Sequence, residues 1–134
     1  CTICASSERE AGRRGGMKGL IVLAHGSRVA ASNDEIRQIA RALTARVADR
    51  YGWGAAAFLE LAEPSLGAAL AMAAAAGCRE VVVLPYFLAA GSHVSRDLPA
   101  LVREQQRVHP GLEIRLHDHV GKLPGLLDLL ARSV

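Results

Sequence analysis

Gly19-Leu20-Ile21-Val22-Leu23-Ala24 is an unbroken apolar run that stops at His25-Gly26-Ser27-Arg28. A half-buried strand would alternate apolar and polar residues. A continuous run is a strand buried on both faces, as in parallel sheets covered by helices. Outward from this strand the same unit recurs, and after Gly16 strand and helix alternate four times. Further strands are predicted over Ala55–Leu61, over Glu80–Leu88 with its three successive valines, and over Leu112–Leu116. The first helix is read from a capping box, Ser32-Asn33-Asp34-Glu35, and carries Ile36, Ile39, Ala40, Leu43 and Val47 at helical spacing. The second is alanine-rich, opened by Pro64 and stopped at Gly77, and the third is opened by Pro99 and ended by Pro110-Gly111. A last helix falls near Pro124–Ala131. This alternation predicts an α/β fold: a four-stranded parallel sheet with right-handed crossovers and helices on both faces, an open flavodoxin-like sheet.

With 134 residues the chain has the length of one domain, assigned to residues 17–134. Residues 1–16 are polar and Gly/Arg-rich and precede Met17-Lys18, which opens directly into the first strand. They are expected to be a disordered leader, an expression remnant or an overcalled start. Only 4% of residues are aromatic, which argues against a stacking platform for single-stranded nucleic acid. The net charge of +3 is modest and its basic residues are scattered, so no nucleic-acid partner is expected, although a small polyanion would be attracted. No apolar run approaches the ~20 residues that span a bilayer, and no membrane association is expected. Three cysteines make no disulfide framework. Cys1 and Cys4 form a lone C-x-x-C, Cys78 reads as a small buried residue, and a reduced, cytoplasmic setting follows.

In open parallel sheets, ligands bind beyond the carboxyl ends of the strands. Here the first strand ends at His25, the second at Glu60, the fourth at His117-Asp118-His119, and the third leads through Ala89-Ala90-Gly91-Ser92 to His93. Imidazole and carboxylate together suit zinc, cobalt, nickel and iron, so a divalent-metal site is the first reading. Gly26 permits a tight turn open to a ligand. Ser27 and Arg28 add a hydroxyl and a fixed cation. Glu60 stands between Leu59 and Leu61, where an ionised carboxylate is costly unless paired or bound to metal, whereas Glu63 beside Pro64 suits a helix N-terminus. After Gly91-Ser92, His93 is read as a loop residue, and loops at this edge carry function. His109 at a helix end is read as structural. His117 and His119 alternate along a strand end, so at most one could reach the site. His25-Gly26 also allows a phosphate-ester hydrolase, but histidine phosphatases carry arginine immediately before that pair, and here it is Ala24.

Taken in order, these motifs resemble a known family. Ala24-His25-Gly26-Ser27-Arg28, Phe58-Leu59-Glu60-Leu61 with Pro64, Leu84-Pro85-Tyr86-Phe87-Leu88, Gly91-Ser92-His93-Val94 and Asp97-Leu98-Pro99 are similar to the small single-domain class II chelatases, the CbiX/SirB-type sirohydrochlorin chelatases. The similarity runs over Met17–Val134. It implies a lyase-type enzyme that inserts cobalt or ferrous iron into sirohydrochlorin with release of two protons, in cobalamin or sirohaem biosynthesis. It further implies that His25 and His93 are catalytic and bind the metal, that Glu60 is a third metal ligand, and that two copies form a homodimer around a shared cavity. Relatives often carry Gly-x-His-Pro after the fourth strand, where this chain has Gly121-Lys122-Leu123-Pro124.

The residue chemistry agrees with that implication. A neutral imidazole, with an ordinary pKa of about 6.5, can take a pyrrolic proton near neutrality. Arg28 and Arg96, with Ser27 and Ser92, flank the two histidine motifs and are candidates for binding the carboxylates of a tetrapyrrole. The metal, whether cobalt, iron or nickel, is a substrate, and no tightly bound cofactor is expected. The alternative is a non-catalytic metal-binding module or carrier using the same three residues.

Overall fold

Met17–Ala24 forms β1, followed in chain order by α1 (Ala30–Arg46), β2 (Trp53–Phe58), α2 (Leu66–Ala75), β3 (Cys78–Pro85), α3 (Ser92–Val108), β4 (Glu113–Leu116) and α4 (Leu126–Ser133). A computed structural model describes residues 16–134, and of His93 the backbone alone. The reading of Cys1–Gly16 as a leader, with the Cys1/Cys4 pair, thus lies essentially outside the described residues. The strands form one sheet in the order β2-β1-β3-β4, and every neighbouring pair is parallel. This is the predicted four-stranded parallel sheet.

β1 lies centrally because it can be buried on both faces. Ile21 sits in register between Ala55 of β2 and Val83 of β3. Ile21, Leu23 and Val83 face α2 and α3, packing with Ala69, Leu70, Ala73 and Leu98. Val22, Ala24 and Phe58 face the other way, toward Ala40, Ile36 and Leu43 of α1. Alanines at 69 and 73, both fully buried, let α2 approach the sheet closely.

Several boundaries differ from the sequence reading. The expected capping box lies inside α1, which starts at Ala30 with Val29 as its N-cap. Asn33 supplies the reason. Its side chain folds back onto the preceding loop, accepting from the Ser27 amide at 2.9 Å and donating to the Ser27 carbonyl at 2.8 Å. The helix therefore begins ahead of Ser32. Pro64 does not open α2; Ser65 caps it by accepting from the Ala68 amide. β2 ends at Phe58 and β3 at Pro85, short of the predicted Leu61 and Leu88. α4 begins at Leu126 rather than Pro124, after a short 3₁₀ turn at Val120–Lys122. The largest difference is in α3, which starts at Ser92 and encloses Pro99. A proline inside a helix removes one backbone hydrogen bond. The carbonyl left over belongs to Ser95, an exposed residue, where water can satisfy it. Among the described residues no helix is long and apolar enough to cross a membrane.

The core makes a direct prediction. Ile21→Ala empties a fully buried site between two strands, and should lower stability by about 3 kcal/mol. Arg103→Ala, on an exposed position of α3, should change it by less than about 0.5 kcal/mol. Guanidinium unfolding curves of both variants check the contrast.

Candidate metal centre

Two backbone hydrogen bonds hold the chain together where β1 and β2 end. The Leu59 amide donates to the Ala24 carbonyl at 2.9 Å and the Glu60 amide donates to the His25 carbonyl at 3.0 Å. His25 and Glu60, remote in sequence, are thereby backbone neighbours. Gly26 makes the approach possible. Its φ is +93°, and a Cβ built there would lie 1.7 Å from the Glu60 carbonyl oxygen. A side chain at 26 is thus excluded by conformation and by space. Beyond Glu60 the chain reverses through Leu61, at φ +67°, and closes when the Phe58 amide donates to the Pro64 carbonyl at 2.9 Å.

The third strand braces the histidine. The Tyr86 amide donates to the Leu23 carbonyl at 2.7 Å, which carries Phe87 under the imidazole. The His25 and Phe87 ring centroids are 4.7 Å apart, with planes inclined by 36°. Phe87 is buried. Its carbonyl accepts from the Gly121 amide at 2.9 Å, and a Cβ at Gly121 would lie 1.7 Å from the Leu88 carbonyl oxygen. The turn after β4 therefore clamps the loop that supports His25.

His25 and Glu60 open into a cavity of about 410 Å³ whose other walls are Leu59, Val94, Asp97, Leu98 and Leu101. That is within the usual size range of small-molecule sites. The α3 wall follows helical periodicity: residues 94, 97, 98 and 101 share one face. His93 is in the first turn of α3, at this same edge of the sheet, one residue before Val94. It is helical, not part of a loop as its flanking Gly91-Ser92 suggested. Among the described residues, which exclude the His93 side chain, no three His, Cys, Asp or Glu groups converge closely enough to hold a metal ion. His25 and Glu60 are the two such donors the sequence predicted that share a cavity with described side chains.

The other predicted residues are placed differently. Ser27 is engaged in the fold, its amide and carbonyl held by Asn33 and its hydroxyl accepting from the Val29 amide at 3.0 Å. Arg28, Ser92 and Arg96 are exposed at the same sheet edge without lining the cavity. His117 and His119 lie beyond β4 rather than along it, and they do not diverge. Both line a separate cleft of about 190 Å³ with Asp118, Lys122 and Ser95. A larger opening, about 440 Å³, lies at the opposite edge, where β3 begins. Its imidazole is His109, which ends α3, and its thiol is Cys78, whose pKa is raised by burial, so it is not held as a ligand-ready thiolate.

Asp97, Leu98 and Leu101 were not singled out as site residues by sequence. Their i, i+1, i+4 spacing is legible, but Pro99 satisfies the rule for a helix start and conceals the turns before it. Phe87 lies inside the Leu84–Leu88 motif and Asn33 inside the capping-box spacing, and neither pattern indicates a contact with the His25 loop.

The chain is thus an open parallel α/β domain with an imidazole and a carboxylate facing one cleft at the carboxyl edge of its sheet. The CbiX family model matches residues 19–134, and the chain belongs to that family. It is 30% identical over 116 residues to the chloroplastic sirohydrochlorin ferrochelatase of Arabidopsis thaliana, covering 87% of this chain and 51% of the relative. It is 31% identical over 86 residues to the sirohydrochlorin cobaltochelatase of Methanococcus maripaludis, covering 64% and 58%. The chain thus spans little more than half the length of these curated relatives. A crystal structure of a candidate cobalamin (vitamin B12) biosynthesis CbiX protein from Marinobacter aquaeolei VT8 superposes with a TM-score of 0.70 at 35% identity, covering 87% of this chain and 92% of that one.

The contact between Gly26 and the Glu60 carbonyl is testable. Gly26→Ala should destabilise the protein by about 1–3 kcal/mol. Hydrogen exchange at the Glu60 amide should accelerate while the β1 core amides keep their protection. Thermal unfolding and amide exchange check both halves.

Proposed function

We propose that the chain is a sirohydrochlorin chelatase that inserts cobalt or ferrous iron into the macrocycle with loss of two pyrrolic protons. The observation that carries the reading is the joining of His25 and Glu60 in one cavity, beside the helical turn that bears His93, in a chain of the CbiX family. The names of its ferrochelatase and cobaltochelatase relatives support the substrate class and both metals. Nickel is compatible with the same donors.

In this reading the metal is a substrate that must be held and then released. Two neutral imidazoles and one carboxylate bind a hydrated dication firmly enough to strip water but leave coordination positions open. His25 and His93 hold the ion, and one of them accepts a pyrrolic proton as the ring nitrogens take over. Glu60 offsets the dication's charge. Arg28 and Arg96 meet the peripheral carboxylates at the exposed rim, and the hydroxyls of Ser27 and Ser92 are of secondary weight. Residues 17–134 form the chelatase domain. The reaction belongs to the cytoplasm, where Cys78 remains reduced.

A single crevice of this size cannot enclose a flat macrocycle, and Leu127, Leu129 and Leu130 expose an apolar face on α4. We infer a C2 homodimer that brings two crevices together. Sedimentation equilibrium should show a dimer at assay concentration, and an active monomer would exclude it.

The reaction itself is followed by the visible spectrum of sirohydrochlorin mixed with cobalt or ferrous iron. Wild-type protein should accelerate the chromophore change over the uncatalysed control. His25→Ala and His93→Ala should each lose about 100-fold or more with little change in unfolding midpoint, and Glu60→Gln should weaken metal binding. Cobalt binding without faster insertion would identify a metal carrier instead.

A further inference from the structure

Leu61 is unfavourable for the fold twice over. Among the described residues it is the one non-glycine residue at positive φ, +67°, a conformation in which a Cβ crowds the backbone and glycine does not. It is also 55% exposed, and it belongs to neither core cluster. Glycine would make the same turn more easily, and asparagine would tolerate it with a polar surface. A strained backbone held at such a position is characteristic of functional sites.

Its surroundings indicate the function. Leu61 directly follows Glu60. Val29, 58% exposed, and Leu88, 73% exposed, stand on the neighbouring segments that leave β1 and β3. The strand order β2-β1-β3 places these three segments side by side at one edge of the sheet. Each of three adjacent strands therefore leads into a segment that carries one exposed aliphatic residue at the carboxyl edge of the sheet. The cavity within is itself largely apolar, with Leu59, Val94, Leu98 and Leu101 in its walls.

We propose that Leu61, with Val29 and Leu88, forms an apolar seat for one face of the tetrapyrrole ring, and that Leu61 sets its affinity. The proposal rests on the chelatase reading above. A conjugated macrocycle offers a flat apolar face and a rim of carboxylates, so it needs a greasy platform beside the donor cavity as well as cations at the periphery. Leu61 follows directly on Leu59 and Glu60, both of which line the donor cavity, and this placement favours the ring over a second copy of the chain. Leu61 binds substrate in the ground state and the transition state alike, so its loss should raise KM and leave kcat unchanged.

The test uses Leu61→Gly, Leu61→Asn and Leu61→Met in the full chain. Metal-free sirohydrochlorin is titrated by fluorescence, and steady-state insertion, thermal unfolding and sedimentation are measured in parallel. Leu61→Gly and Leu61→Asn should weaken ring binding and raise KM about five- to tenfold, as expected for losing one partly exposed aliphatic contact. Their melting temperatures should stay level or rise, and Leu61→Met should remain within about twofold of wild type. Unaltered affinity in the Gly and Asn variants overturns the seat while leaving the reaction standing. A fall in melting temperature in both makes Leu61 a structural residue and also overturns it. A shift of the variants from dimer to monomer assigns the patch to a second copy instead. Wild-type protein that neither binds nor metallates sirohydrochlorin overturns the assigned reaction, and the seat with it.

Discussion

The His25 edge of the sheet is held by two hydrogen bonds where β1 and β2 end. Leu59 to Ala24 closes the last rung of the parallel β1–β2 ladder, and Glu60 to His25 ties the two departing segments together beyond it. This extension makes the His25 and Glu60 backbones neighbours, and both residues line one cavity. The extension needs Gly26, because any Cβ there would meet the Glu60 carbonyl. The His-Gly pair is therefore a statement about Glu60 as much as about the histidine.

The remaining supports act through His25. Phe87 lies against its ring, and the loop bearing Phe87 is gripped from beyond by the Gly121 turn. Asn33 ties the segment after Gly26 down to α1. The exposed imidazole thus rests against one buried ring, and the backbone two residues beyond it is held by a buried amide. In the proposed reaction this suits a residue that meets a metal ion in a defined position while remaining open to solvent and substrate. Rotational freedom at such a ligand would have to be surrendered at each binding event. Here the fold has removed part of it beforehand.

The sheet was legible because Gly19–Ala24 and Val81–Val83 are apolar without interruption, which no half-exposed strand allows. Strand ends were less so. Leu59 and Leu61 prolonged the apolar pattern of β2 past Phe58, although Leu61 turns the chain back. Helix starts were misread wherever a local rule competed with a long-range contact. Ser32 and Glu35 satisfy the capping-box spacing, but Asn33 makes a better bond to Ser27 six residues away. Pro99 satisfies the rule for a helix start, yet apolar contacts of Val94 and Leu98 with the sheet reward a helix that begins earlier and tolerates it. His117 and His119 were assigned to opposite faces by strand alternation, a rule that lapses once β4 ends at Leu116. In each case the overriding term is tertiary, and no window of sequence contains it.

Cavity size alone does not single out one end of this molecule. The openings at the two edges of the sheet are nearly equal, about 440 Å³ where the strands begin and about 410 Å³ where they end. What separates them is the direction of the chain. In a parallel sheet every crossover returns to the same starting edge, and here Gly77 and Pro110-Gly111 serve those returns by turning α2 and α3 into β3 and β4. The segments that leave the strands face a different task. They can lengthen and carry polar residues without disturbing the next strand's register, which is why His25, Glu60 and the first turn of α3 all occur there. Donor chemistry follows strand polarity, and strand polarity follows from the alternation already visible in the sequence.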